Sequence, residues 1–222
     1  MNNIKISASI LAANPNKIEE EINRLNFTSI SAIHVDIMDG SFVSNTSFNK
    51  NIIKIIRKYT SIPIEVHLMV VNPEKYIDYF IEEGSDTIIF HYESTQQPMK
   101  VIEKVRMKNI NIGIALRPDT SEKLIIPLYS KIDTVIIMTV QPGYCRQRFM
   151  YSQLTKIANI SKYTNKYPNL KIGVDGGIDN NTAYLCYKNG AETFIIGSYI
   201  FDYDLNYQNR ISTINTICST KI

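Results

Sequence analysis

Two histidines and two aspartates in this sequence have the types and spacing needed to hold a metal ion. His34 and Asp36 close one apolar, β-branched run, and His67 and Asp175 end two later runs. Side chains alternate along a strand, so His34 and Asp36 would share one face. Two imidazoles with two carboxylates suit Zn²⁺, Fe²⁺, Mn²⁺ or Co²⁺, whereas Ca²⁺ and Mg²⁺ prefer oxygen ligands. The alternative is a buried hydrogen-bonded network without an ion.

The two aspartates are also candidates for acid–base chemistry. If Asp36 and Asp175 faced each other across a substrate, one could remove a proton next to a carbonyl group while a cation stabilised the enediolate. The other could then deliver a proton to the opposite face of that carbon. Such a sequence inverts one carbon centre, so its product is an epimer.

The elements that carry these residues predict a barrel. Strands are predicted over residues 4–11, 30–37, 64–69, 87–91, 112–116, 134–140, 170–175 and 193–197. Helices are predicted between them and after the last, over residues 18–25, 51–59, 74–83, 99–108, 121–129, 152–166, 180–189 and 205–218. This alternation is typical of a (β/α)₈ TIM barrel, with a doubly wound sheet as the rival. In a barrel, chemistry lies at the carboxyl ends of the strands, where all four candidate ligands fall. We expect one barrel domain over residues 1–222.

Glycine-containing pairs at two strand ends predict a phosphate site. Gly176-Gly177 follows the seventh predicted strand and Gly197-Ser198 follows the eighth. Barrels commonly hold phosphate at these positions on backbone N–H groups. Taken singly, each pair is also typical of an ordinary turn.

Two further titratable residues lie near the predicted site. Glu65 shares the face of His67 one layer deeper and needs a partner, for which Lys5 or Ser7 is the expected candidate. His91 ends the fourth strand, and we expect a hydrogen-bonded histidine at the rim rather than a site residue.

Composition restricts the partners and the location. A net charge of +3 over 222 residues, without a basic block, argues against a nucleic acid partner. We expect no membrane partner either, because no apolar run reaches membrane length. Cys145, Cys186 and Cys218 are odd in number and form no Cys-x-x-Cys, which predicts a reducing compartment and a cytoplasmic location. A homo-oligomer is left open.

Motifs along nearly the whole chain resemble the ribulose-phosphate 3-epimerase family. In order, they are Ser9-Ile10-Leu11-Ala12-Ala13, residues 34–43 (HVDIMDGSFV), residues 65–70 (EVHLMV), residues 138–143 (MTVQPG), residues 174–178 (VDGGI) and Gly197-Ser198. The resemblance implies a ribulose-phosphate-binding barrel that interconverts D-ribulose 5-phosphate and D-xylulose 5-phosphate with one divalent metal cation.

The resemblance also implies roles for individual residues. The implied metal ligands are His34, Asp36, His67 and Asp175, and Asp36 and Asp175 double as the acid–base pair. The small-molecule sugar phosphate would contact Ser9, His67, Gly143, Tyr144, Cys145, Arg146, Asp175, Gly176, Gly177, Gly197 and Ser198.

The segment after the sixth strand departs from the family pattern. Where the family usually has Gly-Phe-Gly-Gly-Gln after its proline, this chain has Gly143-Tyr144-Cys145-Arg146-Gln147. Arg146 could replace backbone donation with a charge-assisted phosphate contact, or it could point into solvent. Ser44 stands where the family has a proline.

These departures keep other functions open. A 3-epimerase of another ketose phosphate, such as D-allulose 6-phosphate, would use the same proton chemistry. A sugar-phosphate-binding protein without turnover is the alternative from another class. Related barrels that decarboxylate orotidine phosphate use an Asp-x-Lys-x-x-Asp motif, but here Asp36 is followed two places on by Met38.

Overall fold

The computed structural model describes residues 4–47, 51–202 and 206–219, and its strands close into a barrel. The eight strands are β1 (Lys5–Ser9), β2 (Ala32–Met38), β3 (Ile64–Met69), β4 (Thr87–His91), β5 (Asn111–Leu116), β6 (Thr134–Met138), β7 (Lys171–Asp175) and β8 (Thr193–Ile196). All pair in parallel in chain order, and β8 pairs with β1. The predicted (β/α)₈ TIM barrel is therefore confirmed. Its extent as one domain over residues 1–222 stays a prediction.

Helices lie between the strands and after the last one, near the predicted positions but with bounds that differ by up to five residues, and α7 was not predicted. They are α1 (Ile18–Leu25), α2 (Ile52–Arg57), α3 (Ile77–Glu82), α4 (Pro98–Arg106), α5 (Gln153–Ser161), α6 (Asn180–Lys188), α7 (Ser198–Phe201) and α8 (Tyr207–Ser219). Residue 205, where the last helix was predicted to begin, lies outside the described residues. Within the described ranges, no helix is long and apolar enough to cross a membrane.

The segment between β5 and β6 differs from its prediction as a helix over residues 121–129. It is a 3₁₀-helix, Glu122–Leu128, with Pro127 inside it. Proline has no N–H to donate and its ring clashes with the preceding turn of an α-helix, which favours the tighter and shorter form. Ser121 caps its start by accepting from the backbone N–H of Lys123.

Two apolar layers follow from the alternation of side chains along the strands. Outward residues, such as Val35 and Leu68, pack with the helices in the large core. Inward residues, such as Ile136 and Ile195, fill the barrel interior. His34 and Asp36 alternate with Val35, so they point inward, towards the carboxyl end. The β2–β3 register sets Asp36 directly beside His67.

At the amino ends of β3 and β5, an aspartate connects the strand to the helix that precedes it. Asp86 pairs with Arg57 of α2 at 2.6 Å and accepts from the first N–H of β3 at 2.8 Å. Asp133 pairs with Arg106 of α4 at 2.8 Å and accepts from the second N–H of β5, also at 2.8 Å. Both links lie at the end of the barrel opposite the predicted site.

Candidate active site

The four predicted ligand side chains converge at the carboxyl end of the barrel. One donor atom from each of His34, Asp36, His67 and Asp175 lies within 4.8 Å of the other three. His67 Nδ1 is 3.1 Å from Asp36 Oδ1, 3.3 Å from His34 Nε2 and 3.6 Å from Asp175 Oδ2. Ligands about 2.1 Å from a tetrahedrally held ion lie about 3.4 Å apart. The donor set therefore fits a transition-metal ion in both chemistry and spacing.

Each histidine of this cluster has a second partner on its outward nitrogen. His34 Nδ1 lies 3.4 Å from Glu65 Oε2. His67 Nε2 lies 3.0 Å from His91 Nε2, and His91 Nδ1 lies 3.3 Å from Glu93 Oε2. An ionised carboxylate only accepts hydrogen bonds, so Nδ1 of His34 and Nδ1 of His91 each donate an N–H away from the centre. Nε2 of His91 then accepts from Nε2 of His67, whose N–H therefore also points away from the centre. The nitrogens of His34 and His67 that face the cluster are the ones placed to bind a cation.

The contacts of Glu65 and His91 correct two expectations. The predicted partnership of Glu65 with Lys5 or Ser7 was wrong, because the β2–β3 register sets Glu65 directly beside His34. His91 is hydrogen-bonded as predicted, but it is fully buried rather than at the rim. It touches a cluster residue and therefore supports the site from below.

Ser9 and the two histidines orient the carboxylate of Asp36. Ser9 Oγ donates to Asp36 Oδ2 at 3.0 Å, while Oδ1 faces the nitrogens of His67 and His34 at 3.1 and 3.4 Å. Each oxygen of Asp36 thus has its own partners. The β1–β2 register places Ser9 beside His34, which brings the hydroxyl within reach.

The electrostatic environment gives the two aspartates different pKa values. Burial disfavours the charged form of Asp36, yet the neighbouring His34 and His67 hold its pKa well below its usual range. Burial, followed by repulsion from Asp36, raises the pKa of Asp175 to about 7. Two acids whose pKa values differ in this way can act as proton acceptor and proton donor.

The cluster also attracts positive charge. Burial alone would lower the pKa of His34, but the charge and hydrogen bond of Asp36 raise it well above its usual value. A bound cation would compete with this proton, because both occupy the same nitrogen.

A cavity lies above the cluster, and Asp36 and Asp175 reach its surface. Its wall includes ten of the predicted substrate contacts: Ser9, Gly143, Tyr144, Cys145, Arg146, Asp175, Gly176, Gly177, Gly197 and Ser198. His67, the remaining predicted contact, is fully buried beneath it. The structure therefore does not place His67 where a substrate would touch it directly.

The glycine pair after β7 allows the backbone to form part of this wall. Gly176 has φ +111°, and a Cβ added there would lie 2.3 Å from Val140 Cγ2. Gly177 has φ +64°, and a Cβ there would lie 2.9 Å from the backbone nitrogen of Phe149. Both values leave no room for a side chain, so glycine is required for this close approach.

The loop after β6 forms part of the cavity wall and contacts the loop after β2. The β2 loop (residues 39–47) begins at Asp39, whose Oδ1 accepts from two following backbone N–H groups. The β6 loop (residues 141–147) meets it through two hydrogen bonds. Ser44 Oγ lies 3.1 Å from Tyr144 Oη, and Asn45 Nδ2 donates to the carbonyl oxygen of Gly143 at 2.9 Å.

The Arg146 side chain, which is 55% exposed, has a partner that its sequence position did not suggest. Its Nε and Nη2 donate to the two carboxylate oxygens of Asp202 at 2.7 and 2.5 Å. Asp202 follows α7 and is 56 residues away in sequence, so no local pattern indicated it. Glu93, two residues beyond a histidine at a strand end, is a second missed residue, and that spacing could have indicated it.

The comparison with family models matches the description "Ribulose-phosphate 3 epimerase family" over residues 5–201. A ribulose-phosphate 3-epimerase from Schizosaccharomyces pombe is 36% identical over 200 residues, which cover 89% of this chain and 86% of that protein. One from Methanocaldococcus jannaschii is 37% identical over 203 residues, covering 90% of this chain and 86% of that protein.

Solved structures share the fold at much lower identity. The 3-hexulose-6-phosphate synthase from Salmonella typhimurium has a TM-score of 0.68 and 12% identity, with 97% of this chain and 98% of that chain covered. The orotidine 5'-phosphate decarboxylase from Pyrococcus horikoshii has a TM-score of 0.65 and 17% identity, with coverage of 97% and 100%. These two similarities concern the barrel alone.

The match to the family model and the curated relatives agree with the resemblance drawn from the motifs. The match spans all eight strands and includes His34, Asp36, His67 and Asp175. The prediction of an epimerase, an enzyme of the isomerase class, is confirmed at that level. On this evidence the chain belongs to the ribulose-phosphate 3-epimerase family.

Proposed function

We propose that this protein interconverts D-ribulose 5-phosphate and D-xylulose 5-phosphate by moving a proton at C3. The observation that carries the proposal is that Asp36 and Asp175, from β2 and β7, reach one cavity and share one cluster of donor atoms. Relatives that bear the name ribulose-phosphate 3-epimerase support this choice of substrate.

His34, Asp36, His67 and Asp175 would hold one divalent cation, either Zn²⁺, Fe²⁺, Mn²⁺ or Co²⁺. When bound, such a cation supplies positive charge beside the substrate oxygens, which stabilises an enediolate. The outward partners of the histidines, Glu65 and His91, keep the inward nitrogens oriented towards that position.

In the proposed reaction, the two aspartates work on opposite faces of C3. One carboxylate accepts the C3 proton, and the other carboxylic acid delivers a proton to the opposite face. Ser9 holds Oδ2 of Asp36 and thereby fixes the direction of its carboxylate. Because both groups exchange protons, the reaction runs in either direction with the roles reversed.

The phosphate group would lie against the glycine-containing part of the cavity wall. Gly176, Gly177, Gly197 and Ser198 form this part, where the backbone is accessible because side chains are small or absent. We further propose a cytoplasmic location, supported by three free cysteines, of which Cys186 and Cys218 are buried.

The test is an epimerisation assay with defined metals. The protein is stripped with a chelator and then loaded separately with Zn²⁺, Fe²⁺, Mn²⁺ or Co²⁺. D-ribulose 5-phosphate, D-allulose 6-phosphate and unphosphorylated D-ribulose are the substrates, and NMR in D₂O follows exchange of the C3 proton. We expect activity with the pentose phosphate that is lost on stripping and restored by at least one of the metals.

The other results separate the remaining functions. If D-allulose 6-phosphate were turned over faster than the pentose phosphate, it would become the proposed substrate. Binding of sugar phosphate without C3 exchange under any metal would favour a binding protein. Full activity after verified removal of the metal would overturn the role of the cation.

A further inference from the structure

The backbone at Arg146 has a conformation that a side-chain-bearing residue rarely adopts. Its φ is +59°, in the left-handed region. The family pattern usually has glycine in this part of the loop, and glycine reaches that region without strain. Contacts of the surrounding structure must therefore stabilise the conformation.

The guanidinium of Arg146 is occupied by groups of the protein. Besides the paired bonds to Asp202, its Nη2 lies 3.4 Å from the carbonyl oxygen of Ala12, and its Nη1 lies 3.2 Å from Cys145 Sγ. Each of its nitrogens has a protein partner in this arrangement. The side chain therefore serves as a link between the β6 loop and α7 rather than as an open anion site.

The opposite side of the β6 loop is attached as well. Tyr144 contacts Ser44, and the carbonyl oxygen of Gly143 accepts from Asn45. Ser44, Tyr144 and Arg146 are all departures from the family pattern, and two of them contact each other. These departures from the family pattern thus coincide with contacts that hold the loop from both sides.

We propose that Arg146 is a positioning residue that, through Asp202, holds the β6 loop closed over the cavity before a ligand binds. A loop that is already ordered loses less conformational freedom on binding, so affinity rises. Asp202 follows α7, which begins at Ser198, so the link joins the loop to the element beside the proposed phosphate position. The proposal rests on the proposed function only in placing a phosphate group there.

The decisive variant is Asp202→Asn, because it leaves Arg146 in place and removes the negative charge of its partner. If Arg146 holds the loop, this change should loosen the loop, because the ion pair with Asp202 is lost. Binding of inorganic phosphate should then weaken by about threefold to tenfold. If Arg146 instead binds phosphate directly, freeing it should tighten binding. Calorimetric titration with inorganic phosphate measures the difference, and unchanged or tighter binding would overturn the proposal.

Hydrogen–deuterium exchange gives a second measurement that needs no activity. Backbone amides of residues 143–147 should exchange several-fold faster in Asp202→Asn and in Arg146→Gly, and the double variant should add nothing further. Arg146→Gly keeps the backbone conformation available, since glycine tolerates a positive φ. Wild-type exchange in both single variants, or fully additive effects in the double variant, would contradict the link.

A matched control is the pair Lys171–Glu192, at the amino end of β7. Its atoms are 2.9 Å apart, and its side-chain exposures of 41% and 23% resemble the 55% and 25% of Arg146 and Asp202. Glu192→Gln should leave loop exchange and phosphate affinity unchanged. If the protein lacked epimerase activity on every ketose phosphate, the proposed function would fail while these two measurements remained decisive for the loop.

Discussion

The donor cluster and the β6 loop above it are held in place by different means. His34, Asp36 and His67 lie on paired strands, so the hydrogen-bonded register of β2 and β3 sets their separation. The β6 loop is held instead by side-chain contacts with the β2 loop and by the pair of Arg146 with Asp202. Substitutions in the cluster should therefore change the chemical step, whereas substitutions in the loop should change binding.

The largest effect is expected from Asp175→Asn. An amide cannot exchange a proton as a carboxylic acid does, so kcat should fall by about 10² to 10⁴-fold. Exchange of the substrate C3 proton with solvent should disappear in the same variant, as NMR in D₂O would show. Asp119→Asn, at an exposed position after β5, is the control and should behave as wild type. Wild-type exchange in Asp175→Asn would remove this residue from the mechanism.

An intermediate effect is expected from Glu65→Gln. The amide cannot hold the Nδ1 hydrogen of His34 as strongly as a carboxylate does, so the affinity for the cation should fall by about 10- to 100-fold. Competition with a chromophoric chelator measures that affinity directly. At saturating metal, kcat should recover most of its value, because the aspartates are intact. Glu103→Gln, on the exposed surface of α4, is the control, and equal affinities in the two variants would contradict the role of Glu65.

The smallest effect is expected from Tyr144→Phe. It removes one hydrogen bond between the two loops, to Ser44, and leaves the Arg146–Asp202 pair intact. KM for the sugar phosphate should rise by about twofold with kcat unchanged, since one exposed hydrogen bond contributes little. Tyr151→Phe, at another exposed tyrosine, serves as the control. A loss of kcat comparable to that of Asp175→Asn would remove the distinction between cluster and loop.

Strand periodicity predicted the fold and the cluster because both depend on regular geometry. Alternation along β2 places His34 and Asp36 on one face, and a barrel brings the ends of distant strands together. The partner of Glu65 was predicted wrongly because its identity depends on the exact register between β2 and β3. The segment Glu122–Leu128 was predicted as an ordinary helix, but Pro127 inside it favours the tighter 3₁₀ form.

The contacts of the loops could not be predicted, since they follow no period. Arg146 and Asp202 are 56 residues apart, and Ser44 and Tyr144 are 100 apart. Each pair depends on how two loops emerge from the barrel, which is a property of the assembled fold. The sequence could indicate that Arg146 was unusual, but only the structure identifies its partner.

The two aspartate links at the amino ends of β3 and β5 affect which parts of this protein tolerate substitution. Asp86 and Asp133 tie helices to strands on the side of the barrel that carries none of the proposed chemistry. Stability is thereby supplied away from the loops, so these loops can accumulate substitutions such as Ser44 and Arg146 without endangering folding. Such a barrel tolerates substitutions in the loops at the carboxyl ends of its strands better than at the amino ends. The loops are therefore the place to change when ligand preference is to be redesigned.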